Sequence, residues 1–251
     1  MNRSSAATAS PSSPRPSARA APDERPPTPP SSLKAHLKGR TDLAESVVEV
    51  GDKSYRLTHP SVADALIDER EFDQDDRLPY WAELWPSATA LARLLSREDL
   101  EGRHAVELGC GVGLATIAAM DGGAHVLATD YYEAALDFTR HNAWENLGRS
   151  PETSPLDWRA PGLASLGTFG LVFAADVLYE EGSARALAGL VPLLLASNGE
   201  ALIADPGRRW EPLFRELMLE AGFRFETEET TVEVEGLARG VKVLVHRVRR
   251  P

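Results

Sequence analysis

The sequence predicts an α/β fold: a mostly parallel sheet with helices on both faces and an antiparallel strand at the C-terminus. Three observations carry that expectation. From residue 105 onward, short apolar runs alternate with helix-length segments. Repeated β–α units of this kind imply parallel strands, which need cover on both faces. A glycine-rich turn joins the first strand of the series to its helix. The last two apolar runs lie close together with no helical segment between them, as an antiparallel pair does.

Residues 1–32 are mostly Ser, Ala, Pro and Arg. They offer almost nothing to bury, so a disordered tail is expected, with its boundary placed at residue 40. This segment lacks the apolar stretch of a secretory signal. Its Arg- and Ser-rich start is faintly similar to an organelle transit peptide, but Pro11, Pro14 and Pro16 would break the amphipathic helix that such a peptide needs. Residues 45–50 and 54–58 alternate around Gly51-Asp52, which predicts a hairpin. Residues 61–69 have helical spacing, and an aromatic segment at 79–86 precedes a helix over 87–95. Strands are then expected at 105–108, 125–129, 156–158, 171–175 and 201–204. Helices are expected at 114–120, 133–145, 183–195 and 210–221. The chain closes with strands at 223–228 and 241–246. Residues 41–100 thus form an N-terminal hairpin and helices, and residues 101–251 a ligand-binding core.

The bulk numbers narrow the classes. A chain of 251 residues, 43% hydrophobic, supports one sizeable core. Residues 1–40 carry seven basic and two acidic side chains, a net +5, so with a whole-chain charge of −11 residues 41–251 carry −16. An acidic globule repels phosphate backbones, and no nucleic-acid partner is expected. The single cysteine, Cys110, forms no internal disulfide and suits a cytoplasmic setting. The histidines lack metal-ligand spacing, so no metal is expected. No apolar run approaches the roughly 20 residues that cross a bilayer.

The turn after the first core strand reads Val106-Glu107-Leu108-Gly109-Cys110-Gly111-Val112-Gly113-Leu114. A dinucleotide fingerprint would need glycine at 109, 111 and 114, but position 114 is Leu and the third glycine is Gly113. Glu107 precedes the first glycine by two residues. An acid there repels a pyrophosphate and attracts an ammonium. S-adenosylmethionine carries an ammonium and a sulfonium and no phosphate, and it fits the loop better than NAD. Asp130 ends the second core strand, 17 residues beyond Gly113. An acid at that strand end can accept both hydroxyls of a ribose.

On these residues the sequence resembles the class I, seven-strand S-adenosylmethionine-dependent methyltransferases, whose Rossmann-like sheet matches the predicted order. Pro79-Tyr80-Trp81-Ala82-Glu83-Leu84-Trp85-Pro86-Ser87 resembles the Trp-Pro element of the protein-lysine methyltransferase branch. Asp157-Trp158 resembles that branch's post-loop element, and Asp176-Val177-Leu178-Tyr179 its Asp-x-x-Tyr motif. Ala204-Asp205-Pro206-Gly207-Arg208 is similar to an element of the electron-transfer-flavoprotein β-subunit lysine methyltransferase group, which includes predicted nicotinamide N-methylases; Ala204 stands where that group has glycine.

The resemblance implies S-adenosyl-L-methionine as cofactor, held by Glu107, Gly109, Gly111, Gly113 and Asp130. Trp85 would help enclose it, Trp158 would flank its adenine, and Asp176 would lie beside it. Asp176 and Tyr179 would orient the acceptor amine, and Tyr80 and Trp81 would line its slot. The implied acceptor is a protein lysine. A small-molecule amine or hydroxyl on the same fold is the alternative, followed by a non-catalytic cofactor-binding protein. Asn142 reads as a surface residue and Cys110 as a small buried filler. Glu180 and Glu181 read as a solvated helix start. The oligomeric state is left open.

Overall fold

The computed structural model describes residues 30–67, 78–159, 166–234, 236 and 238–251. A seven-stranded sheet runs in the order β5-β4-β3-β6-β7-β9-β8. Its strands are β3 (His104–Leu108), β4 (His125–Asp130), β5 (Glu152–Pro155), β6 (Phe169–Ala175), β7 (Leu195–Asp205), β8 (Arg224–Val232) and β9 (Val241–Arg249). Strands β3 to β7 are parallel, and β9 inserts antiparallel between β7 and β8. The helices are α1 (Pro30–His36), α2 (Pro86–Leu95), α3 (Leu114–Asp121), α4 (Glu133–Leu147), α5 (Glu181–Leu194) and α6 (Glu211–Glu220).

Side chains alternate between two cores, one on each face. Leu171 and Phe173 of β6 join the cluster under α2 and α3, with Leu202, Ala204, Val243 and Val245. Val172 and Ala174 join the cluster under α5 and α6, with Val106, Ile203, Leu187 and Phe214. Two-sided burial is why these strands are apolar throughout rather than alternating. The strand order reverses at β3. The chain runs outward through β4 to β5, then returns to β6 on the other side of β3. That switch point opens a crevice at the carboxyl ends of β3 and β6, where such sheets bind ligands.

The hairpin forms as expected, as β1 (Leu43–Val50) and β2 (Lys53–Pro60) around Gly51-Asp52. Four local expectations need correction. The tail expected to be disordered through residue 40 forms structure from residue 30: α1 packs on α4, and Leu33 and Leu37 are buried beside Phe138. Leu33 and Leu37 supply what the preceding residues lack, an apolar face to bury; residues 1–29 lie outside the described residues. The helix expected at 61–69 is a 3-10 turn at Asp64–Leu66, with residues 68–69 outside the described set. The strand expected at 156–158 is Glu152–Pro155 instead. That edge strand reads Glu-Thr-Ser-Pro and so carries no apolar signal, and Leu156 is the first residue past it. Asn142 is fully buried. Its side chain donates to the Thr58 and Val112 carbonyls and accepts the Thr58 N–H, tying the hairpin to the glycine turn.

Candidate active site

A cleft holding about 1120 Å³ of non-protein space lies over the carboxyl ends of β3, β4 and β6. Every residue expected at the site lines it: Tyr80, Trp81, Trp85, Glu107, Gly109, Gly111, Gly113, Asp130, Trp158, Asp176 and Tyr179. They divide into two ends.

The first end is built on the turn between β3 and α3. Gly109, Gly111 and Gly113 all have left-handed φ, at +79°, +53° and +92°. At Gly113 the angle is joined by tight space, since a Cβ would stand 3.0 Å from the Thr139 Cα. The Gly109 and Cys110 N–H groups donate to the Thr129 carbonyl at 2.9 Å, which fixes the turn to the neighbouring strand. Asp130 accepts the Gly111 N–H at 3.0 Å through one oxygen and the Tyr132 N–H at 3.0 Å through the other. The Tyr131 N–H also acts on this carboxylate, so of its roughly four acceptor positions at least one remains for a ligand. Burial raises the Asp130 carboxyl to about 6 against those backbone donors.

Glu107 is 2% exposed and takes a hydrogen bond from the Thr116 hydroxyl. Burial pushes its carboxyl up to about 8, although the Thr116 hydroxyl acts to lower it. A buried acid with no cation beside it is costly when ionised, and an arriving ammonium removes that cost. Trp158 packs 3.2 Å from where a Cβ on Gly109 would stand. Its buried Nε1–H has no hydrogen-bond partner among the described residues. Two acids, spare acceptor capacity and an unused indole donor fit an amino-acid-bearing nucleoside. Cys110 is buried, which raises its thiol well above the ordinary value and keeps it inert.

The second end is assembled from distant segments. Asp176 follows β6 with φ +60°, unusual for a residue other than glycine. Its N–H donates to the Ala204 carbonyl at 2.9 Å. Oδ2 accepts the Ser87 N–H at 3.1 Å, and Oδ1 accepts from the Arg208 guanidinium. Asp176 therefore caps α2, not the helix that follows it in the chain. Pro86 at the start of α2 needs no donor partner, and Asp176 satisfies the next position.

Trp85 Nε1 donates to the Tyr80 carbonyl at 2.8 Å. The Tyr80 ring stands 6.0 Å from that of Trp85 and 5.0 Å from that of Tyr179. Burial, and then Glu180, raise the Tyr179 phenol to about 12. Trp81 lines the cleft and also packs behind it. Its ring packs 5.3 Å from that of Phe138, and its carbonyl backs Gly111, so it also supports the turn. Glu181 starts α5 and pairs with Arg185, a solvated helix start as expected. Sequence reasoning gave no role to Ser87, Asp205 or Arg208. The motif around Asp205 was the one signal that pointed there.

Residues 71–213 match a family model described as lysine methyltransferase. The chain is 37% identical over 136 residues to the electron transfer flavoprotein beta subunit lysine methyltransferase of Xenopus laevis, covering 52% of this chain and 53% of that protein. It is 36% identical over 134 residues to protein N-lysine methyltransferase METTL21A of Danio rerio, covering 51% of this chain and 60% of that one. The chain spans about half the length of the curated relatives it matches. Among solved structures, a magnesium protoporphyrin IX methyltransferase from Synechocystis PCC 6803 with bound SAM superposes with a TM-score of 0.51 at 21% identity, over 65% of this chain and 77% of that one. A TehB-like SAM-dependent methyltransferase from Corynebacterium glutamicum gives 0.51 at 18% identity, over 73% and 94%. These two likenesses establish the shared fold.

Proposed function

The chain belongs to the lysine methyltransferase family, and from that membership we propose that it transfers a methyl group from S-adenosylmethionine to the side-chain amine of a protein lysine. The observation that carries the reading is the join between the two ends of the cleft. An acid-lined pocket that suits the cofactor opens directly onto the aromatic slot of Tyr80, Trp85 and Tyr179.

Glu107 takes the ammonium of the cofactor, Asp130 its ribose hydroxyls and Trp158 its adenine. When bound, S-adenosylmethionine supplies an activated methyl carbon, whose bond to sulfur breaks as the amine lone pair forms the new N–C bond. The protein's part is alignment and control of the amine's proton. A free lysine has a pKa of about 10.4, so the amine arrives protonated. Enclosure between Tyr80, Trp85 and Tyr179 excludes water and lowers that pKa, and the proton leaves to solvent before attack. The same ring faces attract a methylated, still cationic product. Asp176 fixes the first turn of α2 and, through it, Trp85. No described helix is long and apolar enough to cross a membrane, and a cytoplasmic setting belongs to the same proposal.

Transfer of labelled methyl from S-adenosylmethionine into a cell extract tests this reading. Label in a few protein bands, mapped to lysine, is expected. Label confined to the small-molecule fraction would replace the acceptor with a small amine, and label on histidine would replace the residue.

A further inference from the structure

The turn after β7, Asp205-Pro206-Gly207-Arg208, reaches the acceptor end through one side chain. Arg208 donates to Asp176 Oδ1 and, at 3.3 Å, to Asp205 Oδ2. Its guanidinium carbon lies 5.3 Å from the centre of the Trp85 ring. Asp205 Oδ1 accepts the Gly207 N–H at 2.9 Å and the Arg208 N–H at 2.6 Å. Gly207 has φ +81°, which lets both amides face one carboxylate. The Asp176 side chain is 3% exposed, and that of Arg208 23%. Arg208 is absent from the cleft lining, whereas Asp176 is part of it.

We propose that Arg208 is a positioning residue that cancels the charge of Asp176, so that the acceptor end takes up lysine as a neutral amine instead of holding it as an ammonium. The inference rests on the lysine-methyltransferase reading above. An unpaired carboxylate within about 4–6 Å of an amine raises its pKa by roughly 1–3 units, which opposes attack. An Asp176 without its cation would therefore hold the substrate in the unreactive form.

The other charged and titratable groups around the slot do not supply that cation. The phenols of Tyr80 and Tyr179 are both raised, by burial first, and are neutral at ordinary pH. Glu83 and Glu180 line the slot side of the cleft, and Glu107 and Asp130 lie at the cofactor end; all four are acids. Arg159, also in the lining, pairs with Asp157 at 3.6 Å. Asp205 shares Arg208 with Asp176, but it is buried, which pushes its carboxyl above the ordinary value, and it already holds two backbone amides, so it anchors Arg208 while drawing less on its charge.

The test compares Arg208→Ala, Arg208→Lys and the double variant Arg208→Ala/Asp176→Asn with the unaltered chain. Initial rates of methyl transfer into the protein fraction of a cell extract are measured from pH 6.5 to 10. For Arg208→Ala the rate profile is expected to move alkaline by about one unit or more, a loss of about tenfold at pH 7 that is regained at high pH. Arg208→Lys and the double variant are expected to keep the original profile position. A loss of the same size at every pH, or a double variant that stays shifted, would overturn the inference. A second readout is calorimetric titration of n-butylammonium into the chain holding S-adenosylhomocysteine. Binding about tenfold tighter in Arg208→Ala is expected, and equal affinity in all variants would overturn the proposal. No lysine methylation by the unaltered chain would overturn the functional reading and this inference together. An active chain with an unshifted Arg208→Ala profile would overturn this inference alone.

Discussion

The two ends of the cleft are built by opposite strategies. The cofactor end comes from one continuous turn, Glu107 to Gly113, with Asp130 hydrogen-bonded to it from the neighbouring strand. Most of its geometry is backbone: left-handed glycines and amide donors. The acceptor end comes from three separate segments, at Tyr80–Ser87, Asp176–Tyr179 and Arg208. Every hydrogen bond that joins it uses at least one side chain, and the topology brings those segments together. A backbone-built site breaks through conformation, whereas a side-chain-built site breaks through charge. Damage to either end should leave the other working, and the variants below test that separation.

The largest effect is expected at the turn. Gly111 has φ +53°, and a Cβ there would stand 3.3 Å from the Trp81 carbonyl oxygen. Gly111→Arg should weaken S-adenosylmethionine binding by on the order of a hundredfold or more, through strain and occupation of the pocket. Circular dichroism should show a folded chain, and calorimetry should show the lost affinity. Next comes Asp176→Ala, which should cut turnover by about a hundredfold while cofactor affinity changes only a few-fold, since misplacement near the chemistry has that scale. It also leaves the buried Ser87 N–H without its acceptor, while Arg208 keeps Asp205, and the loss is expected at about 1–3 kcal/mol in a denaturant titration. Equal losses of turnover and cofactor affinity in this variant would erase the distinction between the two ends.

Asn142→Ala tests the link between the hairpin and the turn. It deletes three buried hydrogen bonds, to Thr58 N–H, Thr58 C=O and Val112 C=O. A loss of about 2 kcal/mol of stability is expected, read from the midpoint of urea unfolding. The smallest effect is one of pH. Burial raises the Glu107 carboxyl to about 8, above its ordinary value, so between pH 4.5 and 8 the folded protein holds a proton that the unfolded chain has lost. The stability of the ligand-free protein should therefore fall as pH rises through that window. Cofactor affinity should rise through the upper part of it, by up to about tenfold per unit, because the ammonium selects the ionised acid. Calorimetry from pH 6 to 8.5 reads the slope, and Glu107→Gln should flatten it. A flat profile in the unaltered chain would detach Glu107 from the ammonium.

How much of this was legible in the sequence follows from the same contrast. The sheet, its helices and the cofactor turn are written in contiguous residues, so periodicity and glycine spacing reveal them. Strand β5 escaped because an exposed edge strand of Glu-Thr-Ser-Pro buries nothing on one side. Helix α1 escaped because two leucines, Leu33 and Leu37, follow a long stretch without apolar content. Asn142 read as a surface residue because a polar side chain in a helix gives no sign of the backbone it will satisfy. The contact of Trp81 with Phe138, beside its place in the cleft lining, gives no sign in aromatic spacing alone. Arg208 lies 32 residues from Asp176 in the chain and meets it only because β6 and β7 are neighbours. No local spacing encodes that meeting.

The most direct measurement is calorimetric titration of S-adenosylmethionine into the unaltered chain and into Asp130→Ala at pH 8. One site per chain, weakened about tenfold or more by the loss of charge-assisted hydrogen bonding to the ribose in Asp130→Ala, is the predicted result. Equal binding by both chains, or binding of NAD in preference to S-adenosylmethionine, would contradict the account.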